Sequence, residues 1–188
     1  MHIIYVHGAG ASSRSFNYIR CKLPSHVATL IEYNVDTPLV ETIDNVKNII
    51  LSTGNKDSII VSHSLGGVIA LSVANKIDIK KIVTLSSPFG GAAVANFLRI
   101  LNPTNQLFKD VSTISPVIMD LKKPENTDVL SIVTSGGQSS LLTGKNDGVI
   151  SLESQMALKD INYKEYELNH FEVLLSNEVI KDIEKFIF

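Results

Sequence analysis

Short apolar runs alternate with helical patterns along the whole chain, and this alternation restricts the fold more than any other feature. Most of the runs are apolar throughout, which is typical of strands buried on both faces of a sheet. They cover residues 2–6, 26–33, 58–62, 81–86 and 128–135, with a candidate sixth strand at 162–168. Helical spacing of apolar residues predicts helices over 40–52, 65–77 and 176–188. The pattern indicates an α/β fold with a doubly wound, mostly parallel six-stranded sheet.

Residues 88–126 break this alternation and begin "PFGGAAVANFLRILNPTNQLF". An insertion of this size within one compact domain, taken as residues 1–188, is usually functional. Its side chains are largely apolar, so we expect an apolar cap over the sheet edge. Such a wall suits an acyl chain. The alternative is that these side chains pack onto the sheet as ordinary core. The apolar residues of the segment include Phe97, Leu98, Ile100, Leu101, Phe108, Val111, Ile114, Val117, Ile118 and Met119.

Charge and composition exclude several classes of partner. A formal net charge of −2 over 188 residues offers no basic surface for nucleic acid or an anionic membrane. No apolar run approaches the length of a membrane span, and the N-terminus lacks the basic leader of a signal peptide. The single cysteine, Cys21, cannot form an internal disulfide. We therefore expect a cytoplasmic protein, unless a leader has been removed.

The stretch "IIVSHSLGGVIAL" (59–71) holds Ser64 between a predicted strand and a predicted helix. Ser64 is either a capping serine or a nucleophile at the carboxyl edge of the sheet, where doubly wound proteins bind ligands. A nucleophilic serine needs a base, and the base needs an orienting group. His170 in "ELNHFEVL" and Asp147 in "TGKNDGVISLES" each follow a different predicted strand. The three side chains can therefore converge at one edge.

Two backbone amides are candidates for an oxyanion hole. Gly66 and Gly67 allow a sharp bend, which leaves the amide of Leu65 at a helix N-terminus. The loop "VHGAGASS" (6–13) follows the first strand and offers the amide of Ala9 as a second donor. Such a pair stabilises the negative charge that develops on a carbonyl oxygen.

The chain resembles the α/β-hydrolases, and among them the compact lipase and esterase-like branch. The matching motifs follow the family's order: "HGAG" (7–10), "SHSLGG" (62–67), "SSPFGG" (86–91), "NDGVIS" (146–151) and "NHFEVL" (169–174). The resemblance implies a nucleophile, an acid and a base with two oxyanion donors, and no metal or organic cofactor. It also implies a lid after the fourth strand, at 88–126. By this resemblance Ser64 is the nucleophile, Asp147 the acid and His170 the base. The oxyanion donors that it implies are Ala9 and Leu65.

The chain departs from the family pattern in two respects. Ser62 stands where the turn before the nucleophile usually has glycine, and serine is small enough to fit there. The chain also begins at what would be the family's third strand. A minimal six-stranded α/β-hydrolase fold with a small, accessible active site is therefore expected.

Other side chains compete for some of these roles. Glu153 is the main rival for the acid, whereas Asp128 lies at the opposite end of its strand. Asp120 lies in the insertion and Asp160 in a later connection. Among the histidines, His63 is predicted to pack away from the pocket and His7 to brace the oxyanion loop. Structural roles are expected for His2 and His26.

The loop "GAGASS" also resembles a dinucleotide-binding fingerprint. The match is imperfect because Ser13 takes the last glycine position, and the required acidic residue can only be Glu32. That interpretation leaves Ser64, Asp147 and His170 without a role.

These residues together predict a carboxylic ester hydrolase that acts on a small-molecule ester with an apolar acyl part. No nucleic acid partner and no integral membrane segment are expected. An acyltransferase or a thioesterase would use the same residues. A hydrolase fold without catalysis that binds a partner is the alternative from another class.

Overall fold

The computed structural model describes residues 1–55 and 57–188, in which strands and helices alternate along the chain. Two short 3₁₀ helices cover Ser13–Phe16 and Glu172–Leu174. The other elements are β1 (His2–Val6), α1 (Asn17–Lys22), β2 (Val27–Ile31), α2 (Leu39–Ser52), β3 (Ser58–His63), α3 (Leu65–Ala74), β4 (Lys81–Leu85), α4 (Ala93–Leu101), α5 (Gln106–Asp110), α6 (Pro116–Met119), β5 (Asp128–Thr134), α7 (Leu152–Gln155), β6 (Asn162–Tyr166) and α8 (Asn177–Ile187).

The strands form one six-stranded sheet in the order β2-β1-β3-β4-β5-β6. Every neighbouring pair is parallel, and β1 pairs with β3 from His2 opposite Ser58 to Val6 opposite Ser62. The prediction of a doubly wound, mostly parallel sheet is confirmed. Because all strands run the same way, the loops after β1, β3, β4, β5 and β6 emerge at one edge of the sheet.

The core consists of two apolar layers on opposite faces of the sheet. Ile4 and Ile60 pack with α2 and α3 on one face, whereas Ile3 and Val61 pack with α1 and α8 on the other. Successive residues of a strand point to opposite faces, so a strand buried on both faces is apolar at most positions. This condition produces the largely apolar runs of β1 and β3.

Element boundaries differ from the predictions by a few residues. The second strand is shorter than the predicted 26–33, and the helix that begins at Leu65 ends at Ala74 rather than at residue 77. The helix α1 has no counterpart among the predicted elements. It buries only Ile19, next to the buried Phe16 of the preceding 3₁₀ turn. Two apolar residues give too weak a periodic pattern to predict a helix.

The insertion at 88–126 forms the three short helices α4, α5 and α6. Ile118 belongs to the core, but α4 turns an apolar face to solvent: Phe97 is 62%, Ile100 75% and Leu101 66% exposed. The base of the insertion is held by a hydrogen bond from Ser154 Oγ to the carbonyl of Gly91. The segment is thus partly a packed layer and partly an exposed apolar surface. No helix in the described parts of the chain combines the length and the apolar character needed to cross a bilayer.

Candidate active site

Ser64 lies on a strained turn between β3 and α3. Its φ of 51° and ψ of −124° fall where residues other than glycine are rarely found. The turn is held by hydrogen bonds from the Ser64 amide to Leu85 O (2.8 Å) and from the Gly67 amide to Ser64 O (2.9 Å). The Ser64 side chain makes no capping hydrogen bond, so the interpretation as a capping serine is wrong. The side chain is partly exposed at the carboxyl edge of the sheet.

Glycines around this turn allow neighbouring segments to approach closely. A Cβ atom on Gly66 would lie 2.2 Å from Val6 O, so only glycine lets α3 start this close to β1. A Cβ on Gly8 would lie 3.0 Å from Ser64 Cβ. The loop after β1, which carries Ala9, therefore passes directly beside Ser64.

The two predicted oxyanion donors flank Ser64 on either side. Leu65 is the first residue of α3, where amides have no acceptor within the helix. Ala9 follows Gly8 in the loop that contacts Ser64 Cβ, and its side chain packs against the core. Both amides therefore belong to backbone segments adjacent to the serine, while their role as oxyanion donors stays a prediction.

Asp147 and His170 form a buried hydrogen-bonded pair. His170 Nδ1 lies 2.7 Å from Asp147 Oδ2, and their side chains are only 4% and 0% exposed. A second bond, from the His170 amide to Asp147 O (3.0 Å), ties the two loops together. Because a carboxylate accepts, Nδ1 carries the hydrogen, and the neutral ring has its lone pair on Nε2. The ring is thus in the tautomer that a general base requires.

The environment of Asp147 favours its charged form. Burial by itself would raise the pKa of this carboxyl group, but hydrogen bonds outweigh burial and lower it. Oδ2 accepts from His170, while Oδ1 accepts from the amides of Val149 (2.9 Å) and Ile150 (2.7 Å). Asp147 is consequently ionised over the whole neutral range.

His63 connects the Ser64 turn to the loop of His170. Its Nε2 donates to His170 O over 2.8 Å, and the two imidazole rings are 4.8 Å apart. Burial, followed by the nearby His170, lowers the pKa of His63 to about 3, so it stays neutral. His63 is buried, which agrees with the predicted packing role, but its ring lies against His170 rather than away from the candidate site. Its contact with the predicted base was not apparent from the sequence.

The carboxylate that reaches the His170 ring is that of Asp147. Glu153 is exposed on α7, and Asp128 starts β5 at the far edge of the sheet. Asp120 and Asp160 are both exposed, after α6 and before β6 respectively. The placement of these four side chains gives none of them the contact that Asp147 has.

His7 and Glu32 hold the loop that follows β1. His7 Nδ1 hydrogen-bonds Gly8 O (2.8 Å), and its ring stacks on Tyr33 at 4.4 Å. Glu32 Oε2 lies 3.3 Å from His7 Nε2, and its Oε1 accepts from the Ser13 amide (3.0 Å). Glu32, the acidic residue that a dinucleotide site would need, therefore contacts this loop. His7 also contacts the loop, in line with the bracing role predicted for it.

The remaining histidines hold strands together. His2 bonds Ser58 Oγ (3.1 Å) and Thr29 Oγ1 (2.8 Å), and His26 bonds the hydroxyl of Tyr5 (2.8 Å). Within residues 1–55 and 57–188, no three His, Cys, Asp or Glu side chains come together in a way that would hold a metal ion.

Sequence reasoning missed two residues that contact Asp147, namely Thr134 and Gln155. Thr134 ends a buried strand and Gln155 ends a one-turn helix, so neither stands in a recognisable motif. Only the folded chain brings them to the carboxylate.

Comparison with known proteins assigns the chain to a family. The sequence profile described as "PGAP1-like alpha/beta domain" matches residues 26–173. No match was found among curated protein sequences.

Solved structures share the fold at low sequence identity. The lipase BlEst2 of Bacillus licheniformis in its propeptide form is 16% identical, with a TM-score of 0.77 over 97% of this chain and 49% of the lipase. This chain thus spans about half the length of that form. The mature form matches at 16% identity and a TM-score of 0.73, over 98% of this chain and 91% of the lipase. A lipase-esterase related protein from Clostridium acetobutylicum is 20% identical, with a TM-score of 0.62 over 98% of this chain and 93% of that one.

The profile covers most of the chain, from just before β2 to the short 3₁₀ helix that follows His170. The all-parallel sheet and the strained serine turn agree with the same assignment. The protein therefore belongs to the PGAP1-like α/β domain family, within the α/β-hydrolase superfamily.

Proposed function

We propose that the protein is a serine hydrolase that cleaves carboxylic esters through an acyl-enzyme on Ser64. The observation that carries this proposal is the buried 2.7 Å bond between Asp147 and His170, beside the strained turn that presents Ser64. Membership of the superfamily and the likeness to lipase and esterase structures support a hydrolase. The ester substrate rests on the site residues.

The first half-reaction acylates the serine. His170 Nε2 takes the hydroxyl proton of Ser64 as the oxygen forms a bond to the ester carbonyl carbon. The carbonyl electron pair moves to the oxygen, and the amides of Leu65 and Ala9 donate to the resulting oxyanion. Asp147 stabilises the imidazolium. The carbon–oxygen bond to the alcohol then breaks, and the alcohol leaves with the proton from Nε2.

The second half-reaction releases the acid by the same steps. Nε2 takes a proton from water, whose oxygen attacks the acyl carbonyl. The tetrahedral intermediate collapses, and Ser64 regains its proton from His170. The free acid is released, and neither half-reaction requires a cofactor.

An apolar acyl part is supported by exposed side chains at the same edge of the sheet. Phe97, Ile100 and Leu101 line one face of α4, which follows β4 at this edge. Phe171, next to His170, is 63% exposed. Contact with an acyl chain would remove this surface from water, at about 25 cal/mol per Å² of apolar area.

The proposal is tested by covalent labelling with a fluorophosphonate, followed by peptide mapping. We expect one modified residue, Ser64, and no modification of Ser64→Ala or of protein unfolded before labelling. A folded wild-type protein that takes no label would support the alternative of a non-catalytic fold that binds a partner.

A chain-length series of nitrophenyl esters tests the substrate. We expect kcat/KM to rise with acyl length while the alkyl chain contacts the apolar face of α4. Competing alcohols and thioesters distinguish the acyltransferase and thioesterase alternatives. Faster transfer to an alcohol than to water, or a preference for thioesters, would replace the ester hydrolase assignment.

A further inference from the structure

We propose that Thr134 and Gln155 are positioning residues that hold the Asp147 carboxylate towards His170. This inference rests on the proposed function, in which Asp147 orients the base. Asp147 Oδ2 accepts from His170 Nδ1 (2.7 Å), from Thr134 Oγ1 (3.0 Å) and from Gln155 Nε2 (3.3 Å). Thr134 and Gln155 have no solvent exposure and Asp147 has 1%, so protein groups take the place of water here.

The backbone of Thr134 fixes the orientation of the Gln155 amide. Gln155 Oε1 accepts from the Thr134 amide (2.8 Å), and Gln155 Nε2 donates to Thr134 O (2.9 Å). Because the backbone N–H can only donate and the carbonyl can only accept, a flipped amide would oppose both groups. One hydrogen on Nε2 is used by Thr134 O, and the other faces Asp147 Oδ2 at 3.3 Å and, at the longer distance of 3.5 Å, Ile150 O.

The Thr134 hydroxyl is oriented by the carboxylate and by Ser86. An ionised carboxylate has no hydrogen to give, so Thr134 Oγ1 donates to Asp147. Ser86 Oγ lies 2.7 Å from Thr134 Oγ1 and must then donate to it. Ser86 is fully buried, and its φ of 52° lies in the strained region. The hydrogen bonds therefore run in one direction, from Ser86 through Thr134 to Asp147.

These hydrogen bonds do more than satisfy buried polar groups. Donors to Oδ2 favour the ionised carboxylate and oppose its rotation away from the His170 ring. The two side chains come from the end of β5 and from α7, which are regular elements rather than the loop that carries Asp147. One side chain thus holds the loop residue from a strand of the sheet and the other from a helix.

The test uses variants that keep side-chain volume, which are Thr134→Val and Gln155→Met. We expect kcat to fall about 10- to 100-fold, the rate equivalent of one hydrogen bond to a charged group, with KM unchanged. Thr134→Ser, which keeps the hydroxyl, should restore most of kcat. Thermal unfolding checks that each variant is folded, and two independent variants guard against the failure of one.

Thr84→Val is the matched control. Thr84 is also fully buried and also bonds a serine hydroxyl, that of Ser131 (2.9 Å), but it does so within the sheet. We expect this variant to lose stability while kcat stays at the wild-type value. If Thr134→Val and Gln155→Met kept the kcat of Thr84→Val in an active enzyme, the positioning role would be overturned and the proposed function would stand.

A spectroscopic measurement separates the two proposals further. The proton on His170 Nδ1 should give a low-field ¹H NMR signal that is missing in His170→Gln. We expect the signal to shift in Thr134→Val and Gln155→Met but not in Thr84→Val. An inactive wild type would contradict the proposed function, whereas an unshifted signal in both variants would contradict the positioning role.

Discussion

The turns after β3 and β4 are built alike, yet only one of them presents a serine to solvent. Ser64 and Ser86 follow neighbouring parallel strands, with φ values of 51° and 52°. Each amide donates to the next strand, Ser64 to Leu85 O (2.8 Å) and Ser86 to Ile132 O (2.9 Å). Ser64 is partly exposed beside Gly8, whereas Ser86 is fully buried against Thr134.

The difference shows that a strained turn does not by itself make a nucleophile. The strained backbone sets the direction of the side chain, but the neighbouring groups determine what the hydroxyl can contact. Ser64 is partly exposed beside the Gly8 loop, and the preceding His63 bonds the carbonyl of His170. At Ser86 the neighbouring group is a buried hydroxyl that leads to Asp147. The same positive φ therefore leaves the Ser64 hydroxyl at a partly exposed position and the Ser86 hydroxyl in a buried hydrogen bond.

The largest loss of kcat should come from removing the Ser64 hydroxyl, and removing the Ser86 hydroxyl should have a much smaller effect. Ser64→Ala is expected to lower kcat for a nitrophenyl ester by roughly 10⁶-fold, as for a catalytic serine. Ser86→Ala should lower it by less than about tenfold, because one neutral hydrogen bond is lost. Steady-state kinetics on folded variants measures both. Equal losses at the two positions would mean that exposure does not distinguish the roles of the two hydroxyl groups.

The next largest loss of kcat should come from changing Asp147, which bonds both His170 and Thr134. Asp147→Asn should lower kcat by roughly 10⁴-fold, because an amide at this position favours the wrong tautomer of His170. Glu153→Gln, a change to the exposed rival acid, should leave kcat unaffected. A large loss in Glu153→Gln together with an active Asp147→Asn would reassign the acid.

The residues that precede the two serines should differ in their response to pH. His63 has its pKa lowered to about 3 from 6.5, so between these values the unfolded chain binds more protons than the folded one. The free energy of unfolding therefore rises with pH in this window, by about 1.4 kcal/mol per unit from this group.

Replacing His63 removes that contribution. We expect the free energy of unfolding, measured with urea, to fall less in His63→Gln than in the wild type when the pH is lowered from about 6 to about 4. Leu85→Met, at the equivalent position before Ser86, should keep the wild-type dependence. An identical pH dependence in wild type and His63→Gln would mean that His63 titrates normally in the fold.

The smallest expected effect is the release of backbone strain. Ser64→Gly should stabilise the fold by about 1 kcal/mol, because relief of strain exceeds the added freedom of the unfolded chain. Ser86→Gly also loses the bond to Thr134, worth about 1 kcal/mol, so we expect little net change or a loss. Chemical denaturation measures both. A stabilised Ser86→Gly would mean that the Ser86 hydroxyl contributes nothing to the fold.

Much of the architecture was predictable because burial on both faces leaves a mark on every residue of a strand. The largely apolar runs of β1, β3, β4 and β5 follow from this condition. The helix α1 was missed because it buries a single residue of its own, Ile19. The six-stranded topology then places Ser64, Asp147 and His170 in loops at one edge, and their catalytic roles stay predictions.

Periodicity and small turn residues are local properties, so the amino-acid sequence was sufficient to indicate which residue types stand at the strand ends. It therefore pointed to Ser64, Asp147 and His170. Tertiary structure alone decided that His63 contacts the loop of His170, and that Thr134 and Gln155 surround Asp147. A hydrogen bond depends on distances of a few tenths of an ångström between segments far apart in the chain, and no local pattern carries that information.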